Sequence, residues 1–293
     1  MTSLEVASNA VAGSLFFLAK RFVAGRTIDE AIQAVRKLTN LGITATLDVL
    51  GENVARSADA QTAVSDYLVA LERIHETGLN CHVSLKLTQM GLDISADRCR
   101  SNLSRICERA ATLNNFVRID MEGSAYTERT LTLFHDLFRE YQNVGVVIQA
   151  YLFRSEEDLK RLIDVGARVR LCKGAYKEPP HLAVQKMGAI RENFQRLAAC
   201  LLQRGNYPAI ATHDERLITW TKNFVREHHI APNRFEFQML YGVRPKTQRK
   251  LAADGFNMRV YVPFGSHWLP YFYRRLRERK ENVLFVVRNL LKG

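Results

Sequence analysis

The chain has 293 residues, of which 47% are hydrophobic and 25% charged, with a net charge of +12. That profile fits a globular protein with room for one large α/β barrel or two smaller domains. Five scattered cysteines without a C-x-x-C pair exclude a disulfide framework, and eight histidines without H-E-x-x-H spacing leave no metal site to expect. The basic balance favours an anionic substrate, cofactor or membrane surface, and the absence of any nucleic-acid-binding signature leaves nucleic acid the weaker option.

In chain order, the apolar stretch 11–19 comes first. It is broken by Gly13 and Ser14 and closed by Lys20-Arg21. It is too short to span a bilayer and has no basic residue before it to make a signal peptide. It reads as an amphipathic helix packed on the body, with docking at a membrane surface as the lesser alternative. Thr27-Ile28-Asp29-Glu30 then opens a second helix with a capping box and acidic residues in its first turn. Residues 1–42 are expected to cover an end of the fold, not to form an independent domain.

One pattern repeats from residue 43 onward. Strand-like runs at 43–49, 79–87, 116–121, 144–150, 167–172, 208–212, 234–240 and 257–262 alternate with helix-like segments at 59–77, 96–113, 128–141, 155–165, 181–203, 215–228, 245–253 and 268–278. Such alternation makes βαβ units, and eight of them in about 250 residues predict a closed (β/α)₈ TIM-type barrel over 43–293. A doubly wound open sheet is the alternative, but no G-x-G-x-x-G or G-x-x-x-x-G-K-[ST] follows any strand.

Residues two apart in a strand share a face, and helices cover the outside of a barrel. The apolar set of each strand should therefore face outward. Asp48, Lys86, Arg118, Asp120, Arg170, Glu236 and Arg259 then point at the axis. Unpaired buried charges cost several kcal/mol each, so these must pair with one another or with a ligand. Arg118, Glu236 and Arg259 are expected in salt bridges low in the barrel. Lys86, Asp120, Gln149, Arg170, Lys173, Thr212-His213 and Tyr261 fall at the C-terminal strand ends, where barrel active sites assemble. In the last helix-like segment Tyr271, Arg274 and Arg275 share one face, while Leu269, Phe272 and Leu276 form a stripe expected to face the core. Two guanidiniums beside a ring suit a carboxylate; a solvated basic face running on through Arg277, Arg279 and Lys280 is the structural alternative. The mouth is expected to be net positive.

Several of these strand-end words occur together: Val117-Arg118-Ile119-Asp120-Met121-Glu122-Gly123, Ile148-Gln149-Ala150-Tyr151, Arg170-Leu171-Cys172-Lys173-Gly174-Ala175-Tyr176, Ala211-Thr212-His213-Asp214, Phe237-Gln238-Met239-Leu240-Tyr241-Gly242 and Tyr271-x-x-Arg274-Arg275. In this order, from about residue 40 to the end, the chain closely resembles proline dehydrogenase, and its length is similar to that of the monofunctional bacterial form. The resemblance implies a flavin enzyme that oxidises L-proline to Δ1-pyrroline-5-carboxylate and passes electrons from FAD to a membrane quinone. It implies catalytic positions at Asp120 and Arg170, and a carboxylate clamp of Arg274 and Arg275 completed by Lys86. Substrate-pocket positions fall on Tyr176, Leu240, Tyr261 and Tyr271. FAD-binding positions fall on Met121, Gln149, Arg170, Lys173, Gly174, Ala175, Thr212 and His213. A cytoplasmic protein is expected, with peripheral contact at the inner face of the cell membrane as the variant a quinone acceptor allows. Cys172, His267 and Tyr273 depart mildly from the pattern. Two other readings compete: a lyase or isomerase barrel for another anionic small molecule, and a catalytically silent barrel binding polyanions through its charge.

Overall fold

Strand-forming runs separated by amphipathic helices leave each strand in need of a partner on both sides, and closure supplies it. A computed structural model describes residues 16–278. Eight parallel strands, β1 (Thr44–Val49), β2 (Cys81–Leu85), β3 (Val117–Ile119), β4 (Val144–Gln149), β5 (Arg168–Cys172), β6 (Ala209–Ala211), β7 (Glu236–Leu240) and β8 (Met258–Phe264), form a closed barrel in chain order, with β1 paired to both β2 and β8. The expected (β/α)₈ architecture is what the chain adopts. Helix α1 (Ile28–Thr39) precedes the first strand. The others each follow one strand: α2 (Ser57–Thr77), α3 (Ala96–Thr112), α4 (Ser124–Glu140), α5 (Ser155–Asp164), α6 (Met187–Arg204), α7 (Glu215–Glu227), α8 (Pro245–Ala253) and α9 (Trp268–Glu278).

The capping box at Thr27 is present: its side chain accepts from the Glu30 N–H, and the Glu30 carboxylate accepts from the Thr27 N–H at 3.1 Å. Two helix starts differ from expectation by a turn or more. Helix α6 begins at Met187, not at 181, because Ala183 is taken up in an isolated antiparallel bridge with Leu152 and the Val184 N–H donates to the Tyr151 carbonyl at 2.8 Å. Helix α4 begins at Ser124, a turn before 128, where the Ser124 N–H donates to Glu178 at 2.7 Å.

The two ends of the described chain also depart from a simple ring. Helix α1 does not cover a barrel end; it packs on the outer flank of β1 and β8, a place the helix after β8 would otherwise take. Helix α9 instead lies over the C-terminal mouth. There Trp268, Tyr271 and Phe272 join Phe16, Leu18, Phe22, Leu50 and Val243 in a second small core, with the Phe16 and Trp268 rings 5.1 Å apart. Residues 16–23 thus do cover an end, whereas residues 11–15 and 279–293 lie outside the described residues. The apolar stripe was misassigned at one position: Leu269 is 54% exposed, because the buried face of α9 runs through Trp268, Phe272 and Arg275.

Inside the barrel the polar faces point inward as expected. Low in the barrel, Arg259 Nε lies 2.9 Å from Glu236 Oε2, and Gln238 donates to the same carboxylate at 2.5 Å. Arg118 is a correction. It makes no ion pair among the described residues but donates to the carbonyls of Val146, at 3.2 Å, and Arg168. Gly145 makes that possible, since a side chain there would collide with the Arg118 guanidinium. Arg118, Glu236 and Arg259 thus find partners within the barrel, whereas at the mouth Asp48 Oδ2 and Arg170 Nε have none among the described residues.

Candidate active site

Four strands converge on one carboxylate. Asp120, just past β3, accepts from Arg170 Nη1 at 2.6 Å and from the Ser84 hydroxyl at 2.7 Å on one oxygen, and from the Tyr261 hydroxyl at 2.6 Å on the other. Lys86, just past β2, donates to Asp48 at 3.0 Å and to the Tyr261 oxygen at 3.3 Å, with Asp120 at 3.7 Å and Glu52 at 3.8 Å. Asp48 is fully buried on β1, and its second oxygen takes no partner among the described residues.

Burial and charge act against each other here. Burial opposes the Lys86 ammonium, yet Asp48, Asp120 and Glu52 together hold its pKa above the ordinary lysine value. Burial pushes Asp120 up, but Arg170 and Lys86 win and hold it below the usual carboxylate range. For Asp48 burial wins over Lys86, and its carboxyl rises to about 6. Asp120 is thus a permanent anion at neutral pH and a weak base.

Above this floor stands α9. Arg274 makes a two-toothed pair with Glu52, at 2.8 and 2.6 Å. Arg275 is buried with its guanidinium over the Tyr271 ring, 5.1 Å from the centroid. The opposite wall follows β5, β6 and β7. Gly174 has φ +119°, and any side chain there would strike the Tyr151 ring. Lys173 and Arg191 both reach Asp214, at 3.1 and 2.7 Å. His213 Nε2 accepts from the Leu240 N–H at 2.9 Å, which puts the proton of the neutral ring on Nδ1. Gln149 is fixed by donating to the Glu122 carbonyl at 2.9 Å, while the Glu122 carboxylate accepts from the Thr88 N–H and hydroxyl at 3.1 and 2.7 Å.

These walls enclose one cavity of about 760 Å³, a size that suits a cofactor or small ligand. All the residues to which the resemblance gives a catalytic or binding role line it: Lys86, Asp120, Met121, Gln149, Arg170, Lys173, Gly174, Ala175, Tyr176, Thr212, His213, Leu240, Tyr261, Tyr271, Arg274 and Arg275. Its charged lining is Lys86, Arg170, Lys173, Arg191, Arg274 and Arg275 against Asp120, Asp214 and Glu215, so the mouth is net positive. Sequence reasoning missed Glu52, Arg191 and Asp214. Glu52 carried the same signal as the others, a charged residue just beyond a strand end; Arg191 carried none, since it sits a turn into a helix. Among the described residues no group of three or more His, Cys, Asp or Glu could hold a metal ion.

A family model described as "Proline dehydrogenase" matches residues 31–288. "Proline dehydrogenase 1" of Bacillus subtilis (strain 168) is 43% identical over 274 residues, covering 94% of this chain and 91% of that protein. The chain belongs to the proline dehydrogenase family. "Proline dehydrogenase" of Deinococcus radiodurans is 41% identical over 281 residues, with 94% and 91% coverage. By contrast, the "Bifunctional protein PutA" of Escherichia coli (strain K12) is 29% identical and this chain spans 24% of it, so the likeness in length is to the monofunctional proline dehydrogenases. Among solved structures, proline utilization A (PutA) from Bdellovibrio bacteriovorus, inactivated by N-propargylglycine, superposes with a TM-score of 0.85 at 26% identity over 92% of this chain and 33% of that one.

Proposed function

We propose that this proline dehydrogenase family member oxidises L-proline to Δ1-pyrroline-5-carboxylate with FAD as its cofactor and a membrane quinone as the final acceptor. The observation that carries the reading is the meeting of Lys86, Arg170, Arg274 and Arg275 around one cavity whose floor is the Asp120 carboxylate. The cavity suits a flavin on two grounds of its own. Arg170 lines it, and its Nε is buried without a hydrogen-bond partner among the described residues, a donor in want of an acceptor. Gly174, where the Tyr151 ring leaves no room for a side chain, lines the cavity with backbone alone.

In this reading Met121, Gln149, Arg170, Lys173, Gly174, Ala175, Thr212 and His213 hold the flavin. Bound FAD supplies the hydride acceptor. The protein supplies position. Arg274, Arg275 and Lys86 take the proline carboxylate, and Tyr176, Leu240, Tyr261 and Tyr271 shape the space for its ring. Hydride leaves C5 only with help from the nitrogen lone pair, so the amine must be neutral at that moment. A cationic, water-poor pocket favours the neutral amine. Asp120 orients Arg170 and Tyr261 without serving as the base, because its neighbours keep it a weak one. Arg274 meets the substrate only by sharing or releasing Glu52.

Residues 43–293 make up the dehydrogenase barrel in this reading, and residues 1–42 are a segment packed upon it. No described helix is long and apolar enough to cross a membrane, and contact with a quinone then calls for peripheral docking at the inner face. Anaerobic titration of the purified protein with L-proline should bleach its flavin absorbance. A colourless protein that cannot be loaded with FAD, or a yellow one that proline leaves unbleached, defeats the proposal.

A further inference from the structure

Arg191 stands outside all the sequence motifs that carry the family resemblance, yet it lines the cavity beside Lys173. One oxygen fixes both cations: Asp214 Oδ2 accepts from Arg191 Nε at 2.7 Å and from Lys173 Nζ at 3.1 Å. The other Asp214 oxygen is used elsewhere, accepting from the Arg216 N–H at 3.2 Å as the N-cap of α7. A single carboxylate therefore holds two cations and leaves one positive charge in surplus. It also sets the direction of the guanidinium, because Nε takes one of the five N–H groups and the four terminal ones keep no hydrogen-bond partner among the described residues.

The site lies well away from the proline end. Lys173 and Asp214 follow β5 and β6, across the closed barrel from β1 and β2, which carry Asp48 and lead into Glu52 and Lys86. Arg191 is 28% exposed in its side chain, so its charge is partly shielded from water without being desolvated at high cost. A planar fork beside an ammonium, both held still, matches an anion that offers several oxygens, and phosphate is that kind of anion.

We infer that Arg191 and Lys173 form a phosphate-binding end of the cavity, and that Arg191 holds the cofactor's phosphates. This rests on the FAD reading above. The test is release of FAD from the holoenzyme on dilution, followed by the rise in flavin fluorescence at low and at high salt. Arg191→Gln should release FAD about tenfold faster or more at low salt, the effect of losing a charge-assisted hydrogen bond. Its release should also depend less on salt than that of the unaltered protein. Arg191→Lys, which keeps the charge, should recover part of the retention and all of the salt dependence. Equal release rates for Arg191→Gln and the unaltered protein would overturn the inference and leave the flavin reading standing. So would faster release with unchanged salt dependence, the mark of a merely structural role. An unaltered protein that holds no flavin at all ends both.

Discussion

Arg274 gives both terminal nitrogens to the two carboxylate oxygens of Glu52, joining the last described helix to the loop after the first strand across the mouth of the cavity. Glu52 itself is held in the charged form: burial works against it, but Arg274 and Lys86 outweigh that. Its role is to fix a long side chain, 38% exposed, that would otherwise wander. Glu52→Gln should raise the KM for proline severalfold with flavin content unchanged. Steady-state kinetics with the flavin-to-protein ratio checks this; a lower KM would mean that Glu52 chiefly competes with the substrate's carboxylate.

Arg275 is buried, with its guanidinium over the Tyr271 ring. Arg275→Met should raise the KM for proline by about tenfold to a hundredfold, the loss of a charged hydrogen-bond pair, and leave the flavin in place. Lys86→Ala should act in the same direction but less strongly. Loss of flavin with unaltered proline affinity in Arg275→Met would contradict the assignment.

Asp48 titrates at about 6 in the folded protein because burial outweighs Lys86. The ordinary value is about 3.9. Between those limits the folded state binds the extra proton, so this group adds stability as pH falls through about 6 and withdraws it as pH rises. Asp48→Asn removes the term. The stability of the unaltered protein relative to the variant should therefore grow as pH falls from about 7 to about 4, as measured by urea unfolding at each pH. A difference that stays constant or shrinks would show that Asp48 is charged throughout.

Gly174→Ala combines an unfavourable positive φ with a collision against Tyr151. The expected cost is about 1–3 kcal/mol of stability, together with weaker flavin retention, because the displaced strand end carries Lys173 and Ala175. Thermal unfolding and the flavin-to-protein ratio report the two effects separately. A variant with unchanged melting and full flavin would remove Gly174 from the wall.

Much of this site was legible before any coordinates because barrel geometry converts position in the chain into position in space. The period of two in β2, β3 and β7 put Lys86, Asp120 and Glu236 on the inside, and the strand ends told which of them faced the mouth. What could not be read depended on partners far apart in sequence. Arg118 found two carbonyls instead of a carboxylate because Gly145, on the next strand, left it room. Leu269 faced outward because the packing partner of α9 was Phe16 and its neighbours, not the barrel wall. Arg191, on the helix after β5, needed Asp214 in the loop after β6 to be placed before its role could be seen.

The placement of α9 over the barrel end, braced by residues 16–23, bears on how the protein comes into being. During synthesis the ribosome releases Arg274 and Arg275 after all eight strands, and their seat is built in part from the first described residues. If these arginines hold the substrate as proposed, recognition is acquired last, when residues 16–23 meet the final described helix. On that assignment a nascent barrel, however well formed, lacks its carboxylate clamp until then.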